Sequence, residues 1–200
     1  MLRRSPHRAK PEHSRTNSGN AGRMPVARHA YPSLDNLSPR LAEEVRKRVA
    51  PDRGNVWKML MWSPGMAEPF IDFNDAVRYK ISLPDSLREL IILRVGHLCE
   101  AAYEIHHHTR ISREIGMSEE LIAAPKMGAS APGLDATQRL ALSLADDLVK
   151  DRKASDINLA QAIKVFGESG LNEIIMLVGC YVLACMLLRT WGVDIEQPKA

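Results

Sequence analysis

Aromatic side chains make up only 5% of this 200-residue chain, although 45% of it is hydrophobic. The core must therefore be filled by Leu, Ile, Met and Ala, which suits packed helices better than sheets. No alternating strand pattern and no hairpin turn signal occurs, which argues against an all-β architecture. No apolar run reaches the roughly 20 residues that a bilayer-spanning helix needs. The longest, 174–188, carries Gly179 and Cys180 in its middle and reads as a core helix, so no membrane partner is implied. Cysteine is scarce as well. Cys99, Cys180 and Cys185 stand in apolar helical segments with no secretory signal ahead of them, which excludes a disulfide framework and points to a reducing, cytoplasmic setting. Cys180 and Cys185 diverge around one helix and Cys99 has no Cys-x-x-Cys partner. The three are expected as separate buried thiols, not as a redox pair.

Acidic residues are nearly missing from the start of the chain. Residues 1–30 hold seven Lys or Arg against one Glu, whereas the remainder is mildly acidic under an overall charge of +3. The basic stretch has no aromatic residue and few large apolar ones, and no nucleic-acid-binding fold follows it, so no nucleic-acid partner is implied. It is expected to be a disordered tail, 1–30, ahead of one helical domain, 31–200.

What is present is helical period with helical punctuation. Ser38-Pro39 starts a short amphipathic helix, Ser63-Pro64 starts a second through Phe70 and Val77, Asp135 and Ser155 cap two more, and Gly170 precedes the last, 171–191. Trp57, Trp62, Phe70 and Phe73 are expected as core, with the mouth of a pocket as their alternative place.

The chemistry concentrates in 84–118, PDSLRELIILRVGHLCEAAYEIHHHTRISREIGMS. Its first half is apolar nearly all round, as in a buried helix. Into this segment the sequence sets Glu89, Glu100, Tyr103, Glu104, His107 and His108, which cost several kcal/mol to bury unpaired. Residues four apart stack on a helix, so Glu100, Glu104 and His108 make one stripe and Cys99, Tyr103 and His107 the next. Glu104 beside His108 is a general acid/base arrangement, and a structural ion pair would have the same spacing. Glu89 cannot reach them along a straight helix and needs a bend or a neighbouring helix. Glu104-x-x-His107 also matches half of a di-metal carboxylate unit, but no second copy exists and consecutive histidines diverge by about 100°. Neither a metal nor another cofactor is expected.

The run Leu87-Arg-Glu-Leu-Ile-Ile-Leu-Arg-Val-Gly-His, then Tyr103-Glu104, His108, Arg110-Ile111, Arg113 and Gly116-Met-Ser118, resembles the carboxymuconolactone decarboxylase-like superfamily, which includes alkylhydroperoxidase D. Thr137-Gln-Arg, 145–148 and Gly179-x-Tyr181 extend the resemblance over about 55–196. It implies an all-α single-domain helical bundle assembling as trimers or hexamers. The peroxidase branch places a Cys-x-x-Cys between a glutamate and a histidine. Here the outer positions match as Glu89 and His108, while Ala101 and Glu104 occupy the cysteine positions and Cys99 falls two residues short. The resemblance therefore implies a thiol-free acid/base branch acting on a small carboxylate or lactone.

On this reading His108 and Glu104 transfer protons, Glu89 orients or relays, and Tyr103, His107 and arginines, Arg94 among them, bind an anionic small-molecule substrate. For Arg94 a salt bridge is the alternative. The second functional reading is peroxide reduction by Cys99 as a lone thiol, whose pKa the neighbouring Glu100 is expected to raise. The third is a catalytically silent family member. Two helices apolar nearly all round have more surface than one small domain covers, so a homo-oligomer is expected.

Overall fold

The computed structural model describes residues 27–50 and 53–196. The fold is all-α, with eight helices and no strand among the described residues: α1 (Pro39–Arg48), α2 (Asn55–Leu60), α3 (Pro64–Tyr79), α4 (Asp85–Leu98), α5 (Ala102–Glu114), α6 (Glu119–Met127), α7 (Ala136–Lys150) and α8 (Asp156–Trp191). Most of the expected tail lies outside the described residues. Its last residues, from Ala27 on, are placed: the Arg28 N–H bonds to the Trp191 carbonyl at 2.8 Å, and Ala27 packs with Tyr31 against the end of α8.

The helix starts follow the capping chemistry. Ser38 accepts from the Leu41 N–H, Ser118 from Leu121 and Ser155 from Asn158, and Asp135 closes a capping box with Gln138. Ser63 starts α3 without a side-chain cap. The expected break before 171–191 falls slightly earlier, at Gly167, whose φ of 69° interrupts α8. By length and composition α8 is apolar enough to cross a membrane, but Leu171, Ile174, Leu177, Val178, Cys180 and Tyr181 form part of the bundle core.

α4 is the axis of the bundle and touches α5, α6, α7 and α8. Every residue from Leu87 to Gly96 is buried, as an all-round apolar helix must be. The 84–118 segment is two helices rather than one bent one. Glu100 adopts φ 52°, the Ala101 N–H returns to the Gly96 carbonyl at 2.9 Å, and the chain reverses into α5. Gly96 lets the two helices close, since a Cβ there would stand 3.2 Å from Ile105. The reversal removes Cys99 and Glu100 from the expected stripes, and the buried face of α5 begins at Tyr103 and Glu104.

Candidate active site

His108 lies between two carboxylates from different helices. Its Nδ1 is 2.6 Å from Glu89 Oε2 on α4, and its Nε2 is 3.2 Å from Glu104 Oε2 one turn back on α5. The Tyr181 ring from α8 meets the imidazole edge-on at 5.1 Å. Burial alone would lower the pKa of His108, but the Glu89 charge and the bonds to Glu104 and Glu89 raise it to about 9. At neutral pH the ring is an imidazolium, hydrogen-bonded to Glu89 through Nδ1 and ion-paired with Glu104 through Nε2. Burial would raise the Glu89 carboxyl, yet the charge and hydrogen bond of His108, and then Arg88 and Arg78, hold it below the usual range. Glu89 Oε1 also accepts from Arg88 Nε at 3.3 Å, and Arg88 is anchored in turn on Asp85 at 2.6 Å and the Arg78 carbonyl at 2.8 Å.

A cavity of about 270 Å³ opens in front of this array, walled by Glu104, His108, His107, Tyr103, Tyr181, Asn74, Trp57 and Phe70. Glu89 is not in the wall. It sits behind the imidazole at zero exposure, where it can orient His108 and stabilise its charge without meeting a ligand. Trp57 and Phe70 take the alternative that the sequence left open, whereas Trp62 is largely exposed and Phe73 packs on the main core.

Four arginines complete the wall: Arg48 from α1, Arg53, Arg78 from α3 and Arg110 from α5. Arg48 is paired with Glu44 and Asp75, and Arg110 Nη1 with Glu114 at 2.7 Å. The Nε atoms of Arg78 and Arg110 are buried with no hydrogen-bond partner. Burial would lower the Arg78 guanidinium, but Tyr181, Tyr79, Glu89 and Glu104 keep it protonated. Two buried donors at a cavity wall without acceptors are the mark of a site that receives an anion.

Tyr103 and His107 are held at the edge of the cavity by Glu196, which no sequence signal singled out. The Tyr103 hydroxyl donates to Glu196 Oε1 at 2.8 Å, His107 Nε2 lies 2.9 Å from Oε2, and the Asn55 N–H donates to Oε1 at 2.5 Å. Burial would raise this carboxyl, but its bonds to His107, Asn55 and Tyr103 hold it down at about 2. Arg94 is not brought to the site. Its Nε and Nη2 reach Asp146 at 2.5 and 2.9 Å, and Nη1 donates to the Pro125 carbonyl at 2.9 Å. It takes the salt-bridge alternative and ties α4 to α7 and to the C-terminal end of α6, where a cation is favourable.

Residues 64–147 match the model of the Carboxymuconolactone decarboxylase family. A comparison with curated proteins finds no significant match. Among solved structures, the chain is similar to the alkylhydroperoxidase AhpD core of an uncharacterized peroxidase-related protein from Ralstonia eutropha JMP134, with a TM-score of 0.74 and 19% identity over 88% of this chain and 94% of that one. An uncharacterized peroxidase-related protein from Silicibacter sp. TM1040 gives 0.72 at 16% identity, covering 87% and 92%. The debrominase Bmp8, solved in complex with 2,3,4-tribromopyrrole, gives 0.72 at 14% identity, covering 86% and 95%. At these identities the shared property is the fold.

Proposed function

We propose that this chain, which belongs to the carboxymuconolactone decarboxylase-like, alkylhydroperoxidase D-like superfamily, is a thiol-independent acid/base enzyme that acts on a small carboxylate or lactone in the manner of a decarboxylase. The observation that carries the reading is the His108 imidazolium, ion-paired with two carboxylates, at a cavity whose wall holds the unpartnered Nε donors of Arg78 and Arg110.

The roles follow from position. Arg78 and Arg110 take the substrate's anionic groups, where a desolvated guanidinium is worth more than in water. When the scissile C–C bond breaks and carbon dioxide leaves, the electron pair stays on the adjacent carbon and delocalises into the substrate's carbonyl. A proton must then reach that carbon. His108 Nε2 supplies it, directly or through the Glu104 carboxylate that shares the cavity wall, and Glu89 holds the imidazolium ready from behind. Tyr103 and His107, held by Glu196, shape the end of the site.

The test is turnover of a panel of carboxylated lactones and small carboxylates. His108→Ala is expected to abolish turnover of any substrate found while leaving the helical signal and oligomer mass unchanged. Full activity in that variant removes His108 from the mechanism and overturns the reading.

A further inference from the structure

Two imidazoles line the cavity, and the proposed reaction gives a proton-transfer step to His108 alone. His107, the neighbouring residue on α5, is buried and has a carboxylate of its own: Nε2 lies 2.9 Å from Glu196 Oε2, much as His108 Nδ1 lies 2.6 Å from Glu89 Oε2. The segment after α8 brings Glu196 there. The Val193 N–H returns to the Leu188 carbonyl at 2.9 Å, Asn55 Nδ2 donates to the Asp194 carbonyl at 3.0 Å, and the Tyr31 hydroxyl bonds to the Asp194 carboxylate. Val193 also packs against Met59 and Tyr103, and the Glu196 side chain is left 4% exposed.

The bonds around Glu196 leave one arrangement of hydrogens. Glu196 is ionised at neutral pH, so both of its oxygens accept and neither donates. Oε1 takes the Tyr103 hydroxyl at 2.8 Å and the Asn55 N–H at 2.5 Å, while Oε2 faces the His107 ring. His107 Nε2 must therefore carry a hydrogen, and in the neutral imidazole Nδ1 is then an unprotonated acceptor. Nδ1 has no hydrogen-bond partner among the described residues and is not one of the sealed atoms left without a partner, so it keeps access to the space that His107 lines. His108 differs, since each of its ring nitrogens faces a carboxylate and neither is free to take a proton.

We propose that His107 is a general base of this cavity, with Glu196 as the positioning residue that fixes its Nε2–H tautomer, and that the site thereby also abstracts a proton from carbon next to a carbonyl of a bound small carboxylate. This rests on the reading of the cavity as an acid/base site for such carboxylates. In the step the substrate C–H bond breaks, a bond from Nδ1 to the proton forms, and the electron pair moves into the carbonyl to give an enolate. The charge that His107 gains is balanced by the Glu196 carboxylate already beside it. The enolate's charge falls to Arg78 and Arg110, whose Nε donors have no hydrogen-bond partner. A proton then returns to the carbon from His107 or from the His108 imidazolium, and both rings re-equilibrate with water. The substrate is unchanged except that its hydrogen has been exchanged with solvent. The two imidazoles divide the work: His108 gives a proton and His107 takes one.

Two measurements on the full chain test this. With histidine labelled at the ring nitrogens, and His107 assigned from His107→Gln, nitrogen NMR of the neutral ring is expected to show a protonated Nε2 and a bare Nδ1. Glu196→Gln is the discriminating variant. Its amide oxygen stays with the two donors, the Tyr103 hydroxyl and the Asn55 N–H, which turns the amide nitrogen toward His107, where it can only donate. The tautomer is expected to reverse although shape and packing are kept. The second measurement follows deuterium uptake by levulinate in heavy water; its carboxylate suits the arginines and its ketone activates the adjacent C–H bonds. Exchange above the buffer rate is expected for the unmodified chain, falling on the order of 100-fold or more in His107→Gln and in Glu196→Gln. A bare Nε2 in the unmodified chain, an unreversed tautomer in Glu196→Gln, or full exchange in His107→Gln overturns the proposal. So does the absence of exchange from a chain saturated with levulinate, with saturation read from the Trp57 indole signal. A chain that exchanges levulinate yet decarboxylates nothing in the substrate panel refutes the decarboxylase reading alone, and the converse refutes only this one.

Discussion

Glu89 Oε2 and His108 Nδ1 stand 2.6 Å apart although 19 residues separate them, because the left-handed Glu100 folds α5 back along α4. That contact sets the protonation of the imidazole. Glu89→Gln removes the charge and is expected to move the alkaline limb of the pH–rate profile down from about 9 toward the ordinary histidine value. The acid limb and the substrate's KM should change little. An unmoved alkaline limb would show that Glu89 does not tune His108.

The same pair makes stability depend on pH. The His108 pKa is raised from 6.5 to about 9 on folding, so its stabilisation is complete below about 6.5 and is lost as pH rises through about 9. For a group this buried the contribution is on the order of 3 kcal/mol. Denaturant midpoints measured across this interval should fall for the unmodified chain and stay nearly flat for His108→Gln. The lowered Glu89 acts in the opposite sense, adding stability above its unfolded pKa that is lost as pH falls.

Arg78 and Arg110 give a binding prediction. Arg78→Met or Arg110→Met is expected to raise KM for an anionic substrate by about 10- to 100-fold, the worth of one charge-assisted hydrogen bond of roughly 1.5–3 kcal/mol. The kcat should fall much less. Steady-state kinetics separates this from a folding defect, and unchanged KM in both variants would remove the anion-receiving role.

Arg94 gives the contrasting one. With its guanidinium bonded to Asp146 and the end of α6, Arg94→Met leaves buried acceptors unpaired and is expected to cost about 3 kcal/mol in stability, with KM unchanged. Gly128→Ala should act through the same contact. Its φ is 77°, and the added Cβ would lie 2.7 Å from the Arg94 guanidinium carbon. Chemical denaturation measures both.

Self-association is the last expectation. Ile175, Met176, Leu183 and Met186 leave an apolar stripe exposed along the second half of α8, on a helix whose other side is core. A homo-oligomer with a mass that is a multiple of three is expected by light scattering, and Met176→Glu with Leu183→Glu should reduce it to one chain. A single-chain mass for the unmodified protein would refute the assembly.

Features that depend only on near neighbours in the chain were legible in the sequence. The helical class follows from the apolar period, the starts of α1, α6, α7 and α8 from Ser38, Ser118, Asp135 and Ser155, and the Glu104–His108 pair from a spacing of four, because capping and stacking are properties of a single helix. Contacts between elements were decided only by the tertiary structure. A left-handed Glu100, which nothing in its residue type demands, brings Glu89 to His108. The packing of α7 and α6 on α4 captures Arg94, and the approach of α1 and α3 to α5 supplies Arg48 and Arg78 to the cavity. Glu196 reaches Tyr103 and His107 only because the chain beyond α8 returns beside α2. A helix's own geometry determines which of its residues share a face, but not which neighbour that face will meet.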